Sequence, residues 1–175
     1  REIADEVCDL IFGALIDKPG GDSILRAVLD PYNPIGSTLG VNFNTSKATR
    51  YHPRPDRSHL NWRVTDSDWE DKLAATIEDH PAVLAYAKNH NLGFDVPYLM
   101  QGEPRHYRPD FLIQLDAPEP TTLVIEVKGY RGHDAILKAE TMRAKWIPAV
   151  NRLGTYGKWA FAELRDINDF GPALD

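Results

Sequence analysis

The chain has 175 residues, a net charge of −6 at pH 7 and one cysteine, Cys8, within the composition of an ordinary soluble globule. This length suits one domain with its own core. No apolar run approaches the ~20 residues needed to cross a bilayer, and no signal peptide opens the chain, so we expect no membrane partner. The acidic balance excludes a protein that coats nucleic acid through general basic charge. A lone cysteine forms no internal disulfide, which favours a cytoplasmic location.

The first forty residues predict a helical extension. Apolar residues recur at helical spacing up to Leu15, a Lys-Pro-Gly-Gly run ends that helix, and a second short helix is expected over 22–29. Two strand candidates, 39–43 and 60–64, then predict a β-hairpin. We therefore divide the chain into an N-terminal extension, 1–40, and a main domain, 41–175. Because the chain begins at Arg1, we expect it to be a segment of a longer protein.

The next stretch predicts two helices and an edge strand. The first helix begins near Asp66 and ends at His80–Pro81, and three apolar residues mark its buried stripe: Trp69, Leu73 and Ile77. A second helical stretch is predicted over 82–88. A strand follows over 94–99, and Pro97 assigns it to a sheet edge because proline cannot donate to the ladder.

The most informative stretch runs from Tyr107 to Lys128. Two apolar segments, 111–115 and 123–128, are joined by a Pro-rich loop, which predicts an antiparallel hairpin. Side chains alternate between the faces of a strand, so Glu126 and Lys128 point the same way. Asp110 shares its face with the even-numbered residues of its own strand. Register permitting, the hairpin brings Asp110, Glu126 and Lys128 to one spot.

Such charges are costly within apolar strands. An unpaired buried charge is expensive, and two close carboxylates raise each other's pKa unless a cation lies between them. A divalent metal removes that repulsion, and Lys128 removes part of it. The hairpin therefore predicts a hard-metal site beside an ammonium group. A simpler interpretation stays open, in which Asp110 and Lys128 form an ordinary cross-strand ion pair and Glu126 faces solvent.

The remainder of the chain predicts a helix and a strand. A long helix begins near His133, Pro148 is expected to kink it, and a glycine-containing turn follows at 154–157. The last strand, 159–164, is expected to be buried on both faces. A three-strand meander followed by a helical crossover places this strand in a mixed sheet. The fold class is therefore α/β, with a central mixed β-sheet flanked by helices.

Pro109-Asp110 on one strand, followed on the next by Glu126-Val127-Lys128, resembles the signature of the PD-(D/E)XK nuclease superfamily. Over roughly residues 41 to 165 the chain resembles, more closely, the C-terminal endonuclease domain of type III restriction enzymes. The segments that carry this resemblance are Ser67 to Glu70, Asn91 to Tyr98, Tyr107 to Phe111, Val124 to Gly132 and Lys145 to Asn151. In that family the domain follows an ATP-driven, helicase-like motor in the restriction subunit.

The resemblance implies a restriction-endonuclease-like core and a Mg²⁺-dependent endodeoxyribonuclease, with Mn²⁺ as a substitute. Asp110, Glu126 and the Val127 carbonyl would hold the metal, and Lys128 would position a water or stabilise the transition state. Cleavage would leave a 5′-phosphate and a 3′-hydroxyl. The implied partners are double-stranded DNA, the helicase or translocase domain of the parent protein, and a modification methyltransferase subunit. The chain has no Gly-x-x-x-x-Gly-Lys-Ser/Thr loop, so we expect no ATP site here.

Four further residues enter the predicted site. Glu70 lies on the sheet-facing stripe of its helix and is a candidate ligand or catalytic residue, yet Ser67-x-x-Glu70 is also a capping box. Three basic residues after the hairpin are candidate DNA contacts: Arg131, Lys138 and Lys145. For Lys138 a solvated helix face is the favoured interpretation. Lys145 is as well explained by a phosphate contact as by a solvated position.

Two other functions stay open. One is a repair or recombination nuclease of the same fold. The other is a catalytically silent module that docks or positions DNA within a larger machine. An intact set of Asp110, Glu126 and Lys128 counts against the silent module, whereas the acidic balance and the missing motor keep it open.

Overall fold

The computed structural model describes residues 36–128 and 133–171, together with Ala27 and Tyr32. The two helices expected before residue 30 lie outside this description, and so does Arg131. In chain order the elements are β1 (Arg50–Tyr51), β2 (Arg63–Val64), α1 (Asp68–Asp79), β3 (Val83–Lys88), β4 (Val96–Met100), β5 (Glu103–Tyr107), β6 (Phe111–Leu115), β7 (Thr121–Val127), α2 (His133–Thr141), a π-helical segment (Met142–Trp146), α3 (Ile147–Leu153), β8 (Lys158–Leu164) and a short 3-10 helix (Ile167–Asp169). None of the helices in the described ranges has both the length and the apolarity to cross a bilayer.

A four-stranded mixed sheet forms the centre of the fold, in the order β3, β6, β7, β8. The first two pairs are antiparallel and the last, β7 with β8, is parallel. The predicted hairpin is confirmed as β6 and β7, and so is the placement of the final strand in a mixed sheet. The expected double-sided burial of that final strand is wrong, because most of its side chains are only partly buried.

The first strand of the sheet is β3, where the sequence predicted a helix over 82–88. The segment pairs along β6 from Val83 opposite Leu115 to Lys88 opposite Phe111, with one register shift near its start. Pairing with a buried neighbour outweighs local helix propensity in so short a segment. The expected meander strand, 94–99, instead forms β4, which pairs only with β5 in a separate two-stranded sheet.

The early hairpin also differs from expectation. The partner of β2 is β1, Arg50–Tyr51, whereas the predicted partner over 39–43 has no regular structure. The two-residue strands of this hairpin are too short to form an independent unit. Arg63 and Val64 of β2 are both buried, so the hairpin is fixed by burial of β2.

Helix α1 covers one face of the central sheet. Its buried stripe consists of Glu70, Leu73, Ala74 and Ile77. Trp69, predicted on this stripe, is 43% exposed, so that assignment is wrong. The apolar residues of α1 join Phe111 and Ile125 in one core.

The opposite face of the sheet is covered by the β4–β5 hairpin and the C-terminal helical run. Val124 belongs to this second core, together with Val96 of β4, Tyr107 of β5 and Met142 of the π-helical segment. The expected central sheet with helices on both faces is therefore present, as a mixed α/β arrangement. Trp146 and Trp159, with ring centroids 5.2 Å apart, pack against this core as predicted.

The kink expected at Pro148 takes the form of a π-helical turn. Proline has no N–H to donate, and the N–H of Ile147 bonds to the carbonyl of Met142, five residues earlier. The widened turn changes the phase of the helix. Lys138 and Lys145, predicted on one face, therefore differ: Lys138 is partly buried and Lys145 is exposed. Gly154, at φ 67°, ends the run in the left-handed conformation.

Candidate active site

Charged side chains from three strands and one helix meet at one end of the central sheet. Lys88 is level with Phe111 across β3 and β6, so it lies on the face that α1 covers. Glu126 follows the alternation of Val124 and lies on the opposite face. Asp110 immediately precedes β6 and lies at the end of the sheet, between Lys88 on one face and Glu126 on the other. The cluster consists of Glu70, Lys88, Asp110, Glu126 and Lys128. Lys88 contacts Glu70 and Asp110, Lys128 contacts Glu126, and Asp110 is linked to that second pair through the main chain of Val127.

Asp110 is fixed by its own backbone and by both carboxylate oxygens. Its N–H donates to the carbonyl of Ile125 at 3.0 Å, and its Oδ2 accepts the N–H of Val127 at 2.7 Å. Its Oδ1 lies 3.0 Å from the Nζ of Lys88. Asp110 therefore lies alongside residues 125–127, as the hairpin predicted. Its ammonium partner is Lys88 and not Lys128, so the simpler interpretation as an Asp110–Lys128 pair is wrong.

Lys88 is the residue of this cluster that the sequence did not indicate. Its side chain is 5% exposed, and its Nζ lies 2.9 Å from Glu70 Oε2 and 3.0 Å from Asp110 Oδ1. The ammonium also lies 5.1 Å from the centroid of the Phe111 ring. Two charge-assisted hydrogen bonds offset the cost of burying this cation. A strand assignment for 82–88 would have placed Lys88 at the end of the sheet next to Asp110.

Glu70 serves as a cap and as a charge partner at once. Ser67 Oγ accepts the N–H of Glu70 at 3.3 Å, and Glu70 Oε2 accepts the N–H of Asp66 at 2.9 Å. Ser67 is thus confirmed as the cap of the helix. The Glu70 carboxylate binds the N–H of Asp66, the residue before the cap, and not the N–H of Ser67 itself. The same Oε2 contacts Lys88. Burial raises the pKa of the Glu70 carboxyl, although Lys88 acts in the opposite direction.

Glu126 is buried, which contradicts the interpretation that it faces solvent. Its Oε1 lies 2.6 Å from the Nζ of Lys128. Its Oε2 is buried and has no hydrogen-bond partner among the described residues. Burial first, and the nearby Asp110 charge second, raise the pKa of Glu126 to about 7. A carboxylate held in this way carries its charge at neutral pH only in part, and an additional cation would favour the charged form.

The main chain of Val127 adds a third oxygen to this corner. Its N–H points at Asp110, and in a strand the N–H and C=O of one residue point to the same side. The Val127 carbonyl therefore points to the Asp110 side, beyond the end of β6. The N–H of Lys128 points the other way and donates to the carbonyl of Leu164 at 2.9 Å.

These oxygens fit a hard divalent cation. Mg²⁺ is typically bound through one or two carboxylates and keeps several waters. Asp110, Glu126 and the Val127 carbonyl match that pattern, and the buried Oε2 of Glu126 lacks the partner that a cation would supply. Within 36–128 and 133–171, no group of three or more His, Cys, Asp or Glu side chains is arranged to hold a metal ion. Waters would therefore have to complete the coordination sphere.

Tyr107 is a second residue that the sequence did not single out. Its hydroxyl is buried without a hydrogen-bond partner among the described residues. Burial raises its pKa strongly, and the charge of Glu126 adds to the rise. Its position at the end of β5 could have been inferred only from the β4–β5 pairing, which carries it onto the sheet.

The predicted DNA contacts have different surroundings. Lys138 forms an ion pair with Asp134 at 2.5 Å, and its ammonium lies 5.6 Å and 5.9 Å from the ring centroids of Tyr98 and Tyr107. Its charge opposes the rise in the pKa of Glu126. Lys138 is therefore partly buried beside Asp134 and two tyrosine rings. Lys145 is exposed, and Arg131 lies outside the described residues.

Comparison with protein-family models gives no match, and comparison with curated proteins gives none either.

Proposed function

We propose that this domain is a Mg²⁺-dependent endonuclease that hydrolyses phosphodiester bonds of double-stranded DNA. The observation that carries the proposal is the corner formed by Asp110, Glu126 and Val127, where a buried carboxylate oxygen lacks a partner next to an ammonium group. The resemblance to the PD-(D/E)XK signature supports the same reaction. The parent protein would be a type III-like restriction enzyme with a cytoplasmic location.

Each residue of the corner has a separate task. Asp110 and Glu126 would hold the metal through their carboxylates, and Val127 through its carbonyl. When bound there, a divalent metal would lower the pKa of a water and would neutralise charge on the scissile phosphate. Lys128, as a compact cation, stabilises the negative charge of the transition state. Glu70 and Lys88 keep the Asp110 carboxylate in place from the other face of the sheet.

The remaining parts of the reaction would come from other domains. Sequence choice and DNA delivery are assigned to the helicase or translocase domain and to a modification methyltransferase subunit. On the proposed DNA side, the exposed Lys145 would contact a phosphate and Lys138 is a further candidate contact, while Arg131 stays a candidate from the sequence. This division agrees with a net charge of −6, which supports little DNA affinity in this chain alone.

A silent docking module is the second candidate, and one observation favours it. Each carboxylate of the cluster already has an ammonium neighbour: Lys88 for Glu70 and Asp110, and Lys128 for Glu126. Such a network is also compatible with a purely structural role, in which the ion pairs fix the sheet end. The two candidates differ in whether Glu126 binds a divalent cation.

Substitution of Asp110 tests the proposal in the full-length protein that contains the motor. Asp110→Asn keeps the shape of the side chain but removes its charge, and we expect Mg²⁺-dependent DNA cleavage to fall by at least about 100-fold. Asp116→Asn is the matched control, because Asp116 is exposed at the far end of β6. Cleavage by the Asp110 variant at the wild-type rate would show that the catalytic assignment is wrong.

Calorimetry separates the nuclease from the docking module without any cleavage assay. The nuclease proposal expects heat of Ca²⁺ binding in the wild type and none in Glu126→Gln. A wild type that gives no such heat, with folding verified by circular dichroism, favours the docking module.

A further inference from the structure

Lys88 occupies a position between two carboxylates that come from different parts of the chain. Glu70 reaches it from helix α1, and Asp110 reaches it from the start of β6, with N–O distances of 2.9 Å and 3.0 Å. The side chain is 5% exposed and lies against the Phe111 ring. A lysine enclosed in this way keeps one position, because its departure would leave the carboxylates of Glu70 and Asp110 close together without a cation between them.

The same two carboxylates, without the ammonium, would suit a second divalent ion. They approach one point from two elements, and both are oxygen ligands of the kind that hard cations take. An ammonium at about 2.7–2.9 Å from its acceptors fills the space where an ion would contact the same oxygens at about 2.0–2.1 Å. Both cannot occupy this gap.

The charge balance of the cluster also favours one divalent ion over two. The cluster has three carboxylates, Glu70, Asp110 and Glu126, and two ammonium groups, Lys88 and Lys128. Fully ionised, it carries one uncompensated negative charge. A single divalent ion reverses that charge and leaves the site positive for a phosphodiester. A second ion next to the buried Lys88 would face strong repulsion at short distance.

We infer that Lys88 is a built-in substitute for a second metal ion, so that this site binds one divalent cation. The ion occupies the Asp110, Glu126 and Val127 corner, and Lys88 holds the gap between Glu70 and Asp110. Glu70 is then not a metal ligand but a residue that positions Asp110 through Lys88. This inference rests on the proposed function and adds to it the number of metal ions.

Metal counting with the full chain tests the inference. Titration with Mn²⁺ or Ca²⁺ in the calorimeter is expected to give one ion per wild-type chain. Lys88→Met removes the ammonium and keeps an unbranched side chain as far as its ε-carbon, so we expect two ions per chain. The double variant Lys88→Met with Glu70→Gln loses one ligand of the new site and should return to one ion.

Lys72→Met is the matched control, because Lys72 is an exposed lysine on α1, and it should keep one ion per chain. A crystal of the wild type soaked in Mn²⁺ provides a measurement that does not require the variant to fold. We expect one anomalous peak near Asp110 and Glu126 and none between Glu70 and Asp110.

The outcomes distinguish this inference from the function on which it rests. Two ions per wild-type chain, or a folded Lys88→Met variant that still binds one, overturn the inference and leave the proposed function intact. A wild type that binds no ion in a Glu126-dependent way overturns both.

Discussion

Two buried basic residues, Arg63 and Lys88, link helix α1 to the strands on which they lie. Their side chains are 8% and 5% exposed, and each contacts two carboxylates. In burial and charge the two clusters are close to equivalent. They differ in what surrounds the acids, and that difference separates a structural clamp from a candidate site.

The acids of the Arg63 cluster are matched within it, and its unmatched group is a donor, the buried Nε of Arg63, which has no hydrogen-bond partner among the described residues. The two terminal nitrogens of Arg63 contact Asp71 at 2.6 Å and Glu78 at 2.9 Å, both on α1. The same guanidinium donates to the Tyr86 hydroxyl, which in turn donates to Glu78. Glu78, which lies on the same helix as Glu70, is thus engaged away from the candidate site. These contacts fix the helix against β3.

The Lys88 cluster has an open end. It continues from Asp110 to the Val127 N–H, and the neighbouring Glu126 has a buried oxygen without a partner in the described ranges. An unmatched acceptor is costly and calls for an ion or a water. The two clusters therefore differ in the unmatched group: an acceptor, Glu126 Oε2, lies beside Lys128, whereas the Arg63 cluster leaves only a donor unmatched within the described part of the chain.

The largest expected effect is on stability. Arg63→Met and Lys88→Met each leave two buried or partly buried acids without their cation, which is expected to lower the free energy of unfolding by up to about 3–5 kcal/mol. Ca²⁺ should restore much of this loss in the Lys88 variant, because the ion can replace the ammonium. In the Arg63 variant, Ca²⁺ should raise the free energy of unfolding only as much as it does in the wild type. Urea unfolding with and without Ca²⁺ measures this. Equal Ca²⁺ gains in the two variants would contradict the distinction.

A smaller effect is expected from the titration of Glu126. Its pKa of about 7 in the folded state lies above the ordinary value of 4.5, so the folded state binds the proton more tightly. Its contribution to stability is complete below about pH 4.5 and is lost as the pH rises through about 7, by about 2–3 kcal/mol.

Glu126→Gln should remove this component of the pH profile. The free energy of unfolding of the variant, minus that of the wild type, should therefore increase from pH 4.5 to pH 7. Metal binding requires the ionised carboxylate, and Ca²⁺ affinity of the wild type should therefore increase over the same range. Urea unfolding at a series of pH values checks the first result, and calorimetry checks the second. If the free energy of unfolding changes with pH in the same way in both proteins, burial of Glu126 does not raise its pKa enough to affect stability.

The smallest expected effect concerns Lys145, which is exposed, in contrast to the buried Lys88. Lys145→Ala should leave the free energy of unfolding within about 0.5 kcal/mol of the wild type, because the side chain is exposed. In the full-length protein it should lower the slope of log DNA affinity against log salt by about 1, as expected for one lost phosphate contact. An unchanged slope would remove Lys145 from the proposed DNA side.

Several features of this protein follow from the sequence alone because they depend on neighbouring residues. Alternation of apolar and polar residues is a local pattern, and it was sufficient for the β6–β7 hairpin and for the shared face of Glu126 and Lys128. Ser67 begins α1 through a bond to a residue three positions later, and Gly154 ends α3 through its left-handed conformation. Asp110 meets β7 because one short loop joins the two strands.

Only the tertiary structure decided the remainder. Whether 82–88 is helix or strand depends on pairing with β6, which lies more than twenty residues away in sequence. Glu70 and not Trp69 faces the sheet because the buried Lys88 offers the glutamate a charged partner. The ammonium partner of Asp110, which is Lys88, was set by the meeting of α1, β3 and the start of β6. Such contacts depend on the arrangement of distant segments in space, and spacing along the chain carries no record of that arrangement.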